Sequence, residues 1–343
     1  MIESLEAEIL RFLSAPSEDK FEPLALKIFQ YQRRENLPYG RYCEFLGTPQ
    51  QIVSWKRIPA VPQQAFKRSE LRSFPVEQIG AEFHTSGTTG EGRGKHFFLS
   101  LRLYEAAVER GWDFFGLPRQ RFMLLLMQHP DDAPFSSLCR MGGFLADFRR
   151  ECFLVMKNGC LDLDRLREGF NDRERPLTLF GTALAFLNLF EQVPDLQLKM
   201  PAGSIAMETG GFKGSGRDVH KNELYDLFSR HLGITTDSIW NEYGMTELSS
   251  QFYSNGISCP HRAPPWMKFL IIDPNTNEEV FPGEVGLLRI VDLANLWSVL
   301  AVQTQDLALA LADGGFLLLG RNSAALPRGC SRAMDELMQL ARN

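Results

Sequence analysis

The sequence predicts a layered α/β fold with a β-rich C-terminal part, on three observations. From about residue 80 to 250, short apolar runs alternate with amphipathic stretches at helical spacing, which is α/β architecture. Residues 1 to about 80 carry helical patterns punctuated by Pro16, Pro23, Pro38, Pro49, Pro59 and Pro62, so this lead-in reads as mainly helical with bends. Beyond about 265 the pattern turns to hairpins.

Taken in order, Ile2, Leu5, Ile9, Leu10 and Leu13 recur at helical spacing and predict an amphipathic N-terminal helix. A further helix follows Ser100, which can cap it, and ends at Gly116; Phe122 to Met127 then reads as a strand. Ile234 to Ile239 reads as another. Met267 to Ile272 leads into a turn at Asp273 to Asn277, Val285 to Val291 follows Pro282-Gly283, and Phe316 to Leu319 follows Asp313-Gly314-Gly315. Neither repeats nor a low-complexity linker interrupt the pattern. The expected organisation is one large domain over residues 1–319, with 1–80 as lead-in and 81–319 carrying the site, and a short tail over 320–343.

The 343 residues support a deep core without disulfides or metals. With 37 basic and 42 acidic residues, a formal charge of −5 and no basic block, nucleic acid is excluded as the expected partner. The six cysteines lie far apart without a CxxC pair, as in a reducing compartment, and the N-terminus is acidic where a signal peptide would be basic. These features predict a cytoplasmic protein. No uninterrupted apolar stretch approaches the roughly 20 residues that span a bilayer. The best candidate, Leu177 to Phe190, contains Gly181, Thr182 and Asn188, so no integral membrane segment is expected.

The most informative stretch is Thr85-Ser86-Gly87-Thr88-Thr89-Gly90-Glu91-Gly92-Arg93-Gly94-Lys95. Consecutive hydroxyls and glycines let a backbone wrap a polyanion, with N–H and O–H groups donating to phosphate oxygens and a lysine or arginine supplying charge. A Walker A loop needs glycine six residues before its lysine and Ser/Thr after it; Thr89 and His96 stand there, which disfavours a P-loop kinase or GTPase. A flexible surface loop is the rival reading, so other motifs must decide.

Three follow in order. Glu208-Thr209-Gly210-Gly211 offers a glycine turn where backbone can approach a flat base. In Asn241-Glu242-Tyr243-Gly244-Met245-Thr246-Glu247, an aromatic beside glycine can lie on a purine, an amide can read its exocyclic amine, and Glu247 can hold a magnesium ion that bridges phosphates. Asp306 ends a strand where a carboxylate can take ribose hydroxyls, and Gly320-Arg321 comes after it.

Together these motifs resemble the adenylate-forming superfamily of acyl-activating enzymes, with its Thr-Ser-Gly-Ser/Thr-Thr-Gly loop, Tyr-Gly-x-Thr-Glu strand end, ribose-binding aspartate and Gly-Arg hinge. Within it the chain is similar over nearly its whole length to the acyl-protein synthetase branch, the LuxE-type fatty-acid ligases of bacterial bioluminescence reductases. The supporting text is Pro264-Pro265-Trp266, Asp292-Leu293-Ala294-Asn295 and Pro327-Arg328-Gly329-Cys330-Ser331.

The resemblance implies an AMP-forming ligase that uses ATP and Mg2+ to turn a long-chain fatty acid, or another carboxylic acid, into an acyl-adenylate. The acyl group then passes to a protein cysteine thiol for an acyl reductase or acyl carrier protein partner. It implies the large N-terminal domain of that superfamily's fold, without the usual full C-terminal lid domain, since the chain stops at Asn343. Thr85, Ser86, Gly87, Thr88, Thr89, Gly90 and Lys95 would hold the triphosphate. Gly210, Gly211, Asn241, Tyr243 and Gly244 would hold the adenine, Thr246 the reacting phosphate, Glu247 the metal, and Asp306 with Arg321 the ribose side. Catalysis would fall to Thr246, Glu247, Lys95 and Cys330, the last as acyl carrier beside the Arg328 cation. Lys213, Arg93 or Lys95, or a partner, would replace the lid lysine. A ligase using a free thiol such as coenzyme A, a non-catalytic scaffold and an ATP kinase stay as alternatives. The other cysteines, Cys43 and Cys152 for example, are expected in the core, and Cys259-Pro260-His261 falls short of a zinc site.

Overall fold

The computed structural model describes residues 2–85, 92–119, 122–170, 175–194, 198–210 and 219–321. Its strands in chain order are β1 (Val61–Pro62), β2 (Ala81–His84), β3 (Lys95–Phe98), β4 (Phe122–Gln128), β5 (Phe153–Val155), β6 (Leu177–Thr182), β7 (Ile205–Thr209), β8 (Ile239–Tyr243), β9 (Phe252–Asn255), β10 (Met267–Ile272), β11 (Val285–Asp292), β12 (Ala301–Ala310) and β13 (Phe316–Arg321). The helices are α1 (Ile2–Ser14), α2 (Glu18–Glu35), α3 (Leu37–Phe45), α4 (Arg102–Phe114), α5 (Ser137–Leu145), α6 (Leu163–Gly169), α7 (Ala183–Gln192) and α8 (Lys221–Leu232).

These residues fall into two compact units where the sequence led us to expect one continuous domain. Among the described residues, the first comprises those within 2–111, 245–250 and 262–321, and the second those within 112–244 and 251–261, so the chain changes unit after Gly111, Gly244, Ser250 and His261.

The second unit is the α/β part. Its sheet runs in the order β5-β4-β6-β7-β8-β9, parallel up to β8, with β9 antiparallel at the edge. A parallel sheet buried on both faces needs strands that are apolar throughout, which explains Met123-Leu124-Leu125-Leu126-Met127, every residue of which is buried. The apolar stretch Leu177 to Phe190 has the same cause. It is strand β6 followed by α7, and Phe186, Leu189 and Phe190 pack with Tyr225 and Phe228 of α8 over Leu179, Ala206 and Ile239 of the sheet. Fully burying each such side chain contributes about 1.5–3 kcal/mol. No described helix is long and apolar enough to cross a membrane.

In the first unit, β10, β11, β12 and β13 form an antiparallel meander that β1 extends in parallel along β12, and β2 with β3 forms a separate hairpin. The lead-in is α-helical only as far as Phe45, with short 3-10 turns and β1 beyond it, and Pro23 does not break its second helix. It lies inside α2, near the N-terminus, where its missing N–H removes a single intrahelical bond. Three boundaries differ from the sequence reading. Asp306, expected to end a strand, lies inside β12, which runs on to Ala310. Residues 234–238 are not strand: Gly233, at φ +64°, ends α8, Thr236–Ser238 form a 3-10 turn, and the strand begins at Ile239. Gly320 and Arg321, expected to open the tail, close β13, where Arg321 pairs in register with Asp306.

Candidate active site

In the second unit, parallel pairing sets two of the sequence motifs side by side. Glu208 is in register with Asn241 and Thr209 with Glu242, so the Gly210 turn and the Tyr243-Gly244 turn leave neighbouring strands at their C-terminal ends. That end of an open parallel sheet is where such folds bind ligands. Gly210 takes φ +71°, a conformation that favours glycine. At Gly244 the requirement is space: a Cβ there would lie 2.4 Å from Glu242 Oε1.

Beneath these turns is a buried polar network. Asn241 Nδ2 donates to Glu208 Oε1 at 2.6 Å, and Asn241 Oδ1 accepts from His261 Nε2 at 2.5 Å. Tyr225 donates to Glu208 at 3.3 Å, Lys221 Nζ lies 4.0 Å from the same carboxylate, and Thr209 donates to Glu242. Burial pushes both carboxyls up to about 7; Lys221, Tyr225 and Asn241 pull Glu208 back, while Glu208 raises Glu242 further. Burial also drives His261 down to about 3, so it is a neutral donor here. The Asn241 amide, expected to read a purine amine, has both ends engaged by Glu208 and His261. Tyr243 is buried, with its ring against Phe252 and His261.

In the first unit, Thr85 and Gly94 close the mouth of the glycine-rich loop. Thr85 N donates to Gly94 O at 2.9 Å, and Gly94 N donates to Thr85 Oγ1 at 2.9 Å. Past the loop, side chains of β3 alternate between faces. Lys95, in register with His84, lies 3.9 Å from Glu82, which also accepts from His84 at 2.9 Å. His96 points to the other face, where Nδ1 donates to the main-chain carbonyl of Thr246 at 2.8 Å. Two motifs 150 residues apart therefore meet, and Lys95 leaves the strand from the face opposite that contact.

Thr246 and Glu247 occupy the centre of a turn closed by Leu248 N donating to Met245 O. Its main chain is pinned repeatedly. Besides His96 on the Thr246 carbonyl, Asn295 Nδ2 donates to the Glu247 carbonyl at 2.8 Å. The Asp292 carboxylate accepts from Ser249 N, Ser250 N, Ser250 Oγ and Ala294 N at 2.8 to 3.0 Å. Burial pushes Asp292 up to about 6 against those four donors, which leaves it ionised at neutral pH. Elsewhere in this unit, Asp306 is buried and lies 3.5 Å from Arg321 Nε.

The sequence reading missed His96 and the pinning roles of Asp292 and Asn295. The signal for His96 was present: in His96-Phe97-Phe98 a histidine shares the strand face of a phenylalanine. Ser86, Gly87, Thr88, Thr89, Gly90, Gly211, Lys213 and Cys330 lie outside the described residues. Cys43 and Cys152 are buried as expected, whereas Cys160, after the Asn158-Gly159 turn, is exposed. Among the described residues, no group of three or more His, Cys, Asp and Glu could hold a metal.

The chain is similar in structure to a CoA ligase and to an ATP-bound protein. A 2-hydroxyisobutyryl-CoA ligase bound to 2-HIB-AMP and CoA matches 90% of this chain and 79% of its own at TM-score 0.62 and 15% identity. ATP-bound MatB from Rhodopseudomonas palustris matches 73% at TM-score 0.52 and 17% identity, and this match spans 49% of MatB. These likenesses show that the chain shares the fold of those two proteins over the matched residues. In sequence, the chain is 21% identical over 325 residues to the long-chain-fatty-acid–luciferin-component ligase of Aliivibrio fischeri, across 90% of this chain and 86% of the relative. It is 19% identical to the protein of the same name from Vibrio harveyi, across 91% and 86%. The sequence profile described as acyl-protein synthetase, LuxE, matches residues 5–339, and the chain is therefore a ligase of the LuxE acyl-protein synthetase family.

Proposed function

We propose that this protein activates a long-chain fatty acid with ATP and passes the acyl group, through Cys330, to a thiol on an acyl reductase or acyl carrier partner. A carboxylate is a poor electrophile because its charge repels nucleophiles and oxide is a bad leaving group. Attack of a carboxylate oxygen on the α-phosphorus of ATP expels pyrophosphate and gives an acyl-adenylate. Thiolate attack on the acyl carbonyl then expels AMP and leaves a thioester. The protein's contribution is positioning and charge stabilisation.

In this reading the loop from Thr85 to Lys95 holds the triphosphate, Gly210-Gly211 and Tyr243-Gly244 the base, and Asp306 the ribose. The observation that carries it is the His96–Thr246 contact, which ties the strand leaving the loop to the Thr246-Glu247 turn. The pairing of the Gly210 and Tyr243 strand ends supports the same assignment. One buried carboxylate, Glu247, suits Mg2+, which is held by one or two carboxylates together with substrate phosphates and water. The ion would neutralise charge on those phosphates. A fatty-acid substrate follows the names of the two ligases, and a cytoplasmic setting follows from six cysteines spaced far apart without a CxxC pair.

The test is ATP–pyrophosphate exchange across carboxylic acids of graded chain length, with acyl labelling by radioactive fatty acid. The expected result is exchange with long-chain acids and hydroxylamine-sensitive label, with Cys330→Ser keeping exchange and losing the label. Exchange with no acid would favour the scaffold reading, and release of ADP would favour a kinase. Label that persists in Cys330→Ser would exclude Cys330 as carrier.

A further inference from the structure

The His96 ring is wholly buried, between Phe98, with ring centroids 4.1 Å apart, and Phe66 at 5.7 Å. Such an aromatic box would accept a phenylalanine, yet it holds an imidazole whose Nε2 has no hydrogen-bond partner among the described residues. Burying a polar atom without a partner is unfavourable, so packing alone does not account for a histidine here. The other ring nitrogen does. A carbonyl oxygen only accepts, so its 2.8 Å contact with Nδ1 fixes the ring as the Nδ1–H tautomer. Burial also drives the ring's pKa down to about 4, which keeps it neutral.

The bonded carbonyl belongs to Thr246, one residue before Glu247, in a turn whose next carbonyl is held by Asn295. His96 follows Lys95 directly in β3, whose preceding residue Gly94 is fastened to Thr85. A displacement of the glycine-rich loop's base therefore reaches the Thr246-Glu247 turn through one side chain.

We propose that His96 is a positioning residue for acyl-adenylate formation, its Nδ1–H holding the Thr246 carbonyl so that the Thr246 and Glu247 side chains keep a fixed place relative to the strand leaving the phosphate loop. The proposal rests on the adenylation reading above. Its effect belongs to the chemical step: the contact touches main chain, and a misplacement of about 1 Å near reacting groups can cost on the order of 100-fold in rate.

Three variants of the full chain separate donor geometry from packing. His96→Asn places its amide nitrogen where Nδ1 stands, His96→Gln places it one bond farther, near Nε2, and His96→Phe keeps the aromatic shape without a donor. In pyrophosphate exchange, His96→Phe and His96→Gln should lose kcat by on the order of 100-fold with KM for ATP within about 3-fold, whereas His96→Asn should stay within about 5-fold of the wild type. Thermal melts of the same preparations identify any variant whose loss comes from unfolding. Equal losses in Asn and Phe, or a loss confined to KM, would overturn the proposal.

A second measurement does not need activity. In protein labelled with [15N]histidine, the ring resonance that disappears in His96→Asn should show the proton on Nδ1; a proton on Nε2 would overturn the contact itself. If the wild-type chain exchanges pyrophosphate with no acid, the adenylation reading fails and takes the kinetic half of this proposal with it. The tautomer still decides whether His96 holds Thr246.

Discussion

Replacing Asp292 by asparagine tests what holds the Thr246-Glu247 turn. The carboxylate accepts from four donors, two on each oxygen: Ser249 N and Ser250 N on Oδ2, Ser250 Oγ and Ala294 N on Oδ1. An amide has the same shape but one acceptor end. Its less costly orientation keeps oxygen toward Ser249 and Ser250, leaving NH2 facing the Ser250 hydroxyl, which can accept, and the Ala294 N–H, which cannot. One charge-assisted bond is then lost outright, and the two retained on oxygen lose their charge. At about 1.5–3 kcal/mol for a hydrogen bond to a charged group, the expected destabilisation is about 2–4 kcal/mol. That is a large share of the roughly 5–15 kcal/mol typical of a folded protein. Urea unfolding of Asp292→Asn against the wild type reads it directly. Exchange activity should fall even where the variant remains folded, because the pinned backbone carries Thr246 and Glu247. A variant within about 0.5 kcal/mol of the wild type, with unchanged exchange, would refute the reasoning.

Two further outcomes are expected. Burial lifts Glu242 from an ordinary 4.5 to about 7, so the folded state holds a proton that the unfolded chain releases, and this group's stabilisation is present in full below about pH 4.5 and lost as pH rises to about 7. Glu242→Gln should therefore gain on the wild type by about 2–3 kcal/mol between pH 5 and pH 8 in urea unfolding; a difference independent of pH would refute the assignment. His96 and His261, driven down to about 4 and 3, act in the opposite sense between those values and about pH 6.5, which is why the variant comparison is used instead of the raw profile. Gly244→Ala drives a Cβ to 2.4 Å from Glu242 Oε1, whose side chain is tied to Thr209, and should cost about 1–3 kcal/mol by thermal unfolding. An unchanged melting midpoint would mean that Glu242 can move.

The sequence carried the α/β class and many of the elements. Met267–Ile272 forms the strand expected before the Asp273 to Asn277 turn, and α4 ends just before Gly116. Parallel strands buried on both faces announce themselves as continuous apolar runs, as in β4. Less legible was what a polar residue does once buried. Asn241 reads as a purine reader by type and place, yet its register opposite Glu208 turns its amide toward protein partners. His96 lies in an apolar run and reads as a core residue. Only the fold, by bringing Thr246 to its face of β3, gives it a partner. Lys95 shows the same limit: strand alternation separates it from its neighbour's target and sends it to Glu82.

The repeated change of unit along the backbone has a consequence for dissection. The hexapeptide 245–250, counted with the first unit, is the connection between β8 and β9, which are hydrogen-bonded neighbours in the second. Neither half can be encoded as one uninterrupted gene fragment: excising 112–261 as a piece removes from the remainder the very backbone that Asp292 and Asn295 grip. Shuffling modules between homologues would have to cut on either side of six codons, and inheritance of this turn is thereby bound to inheritance of the whole chain.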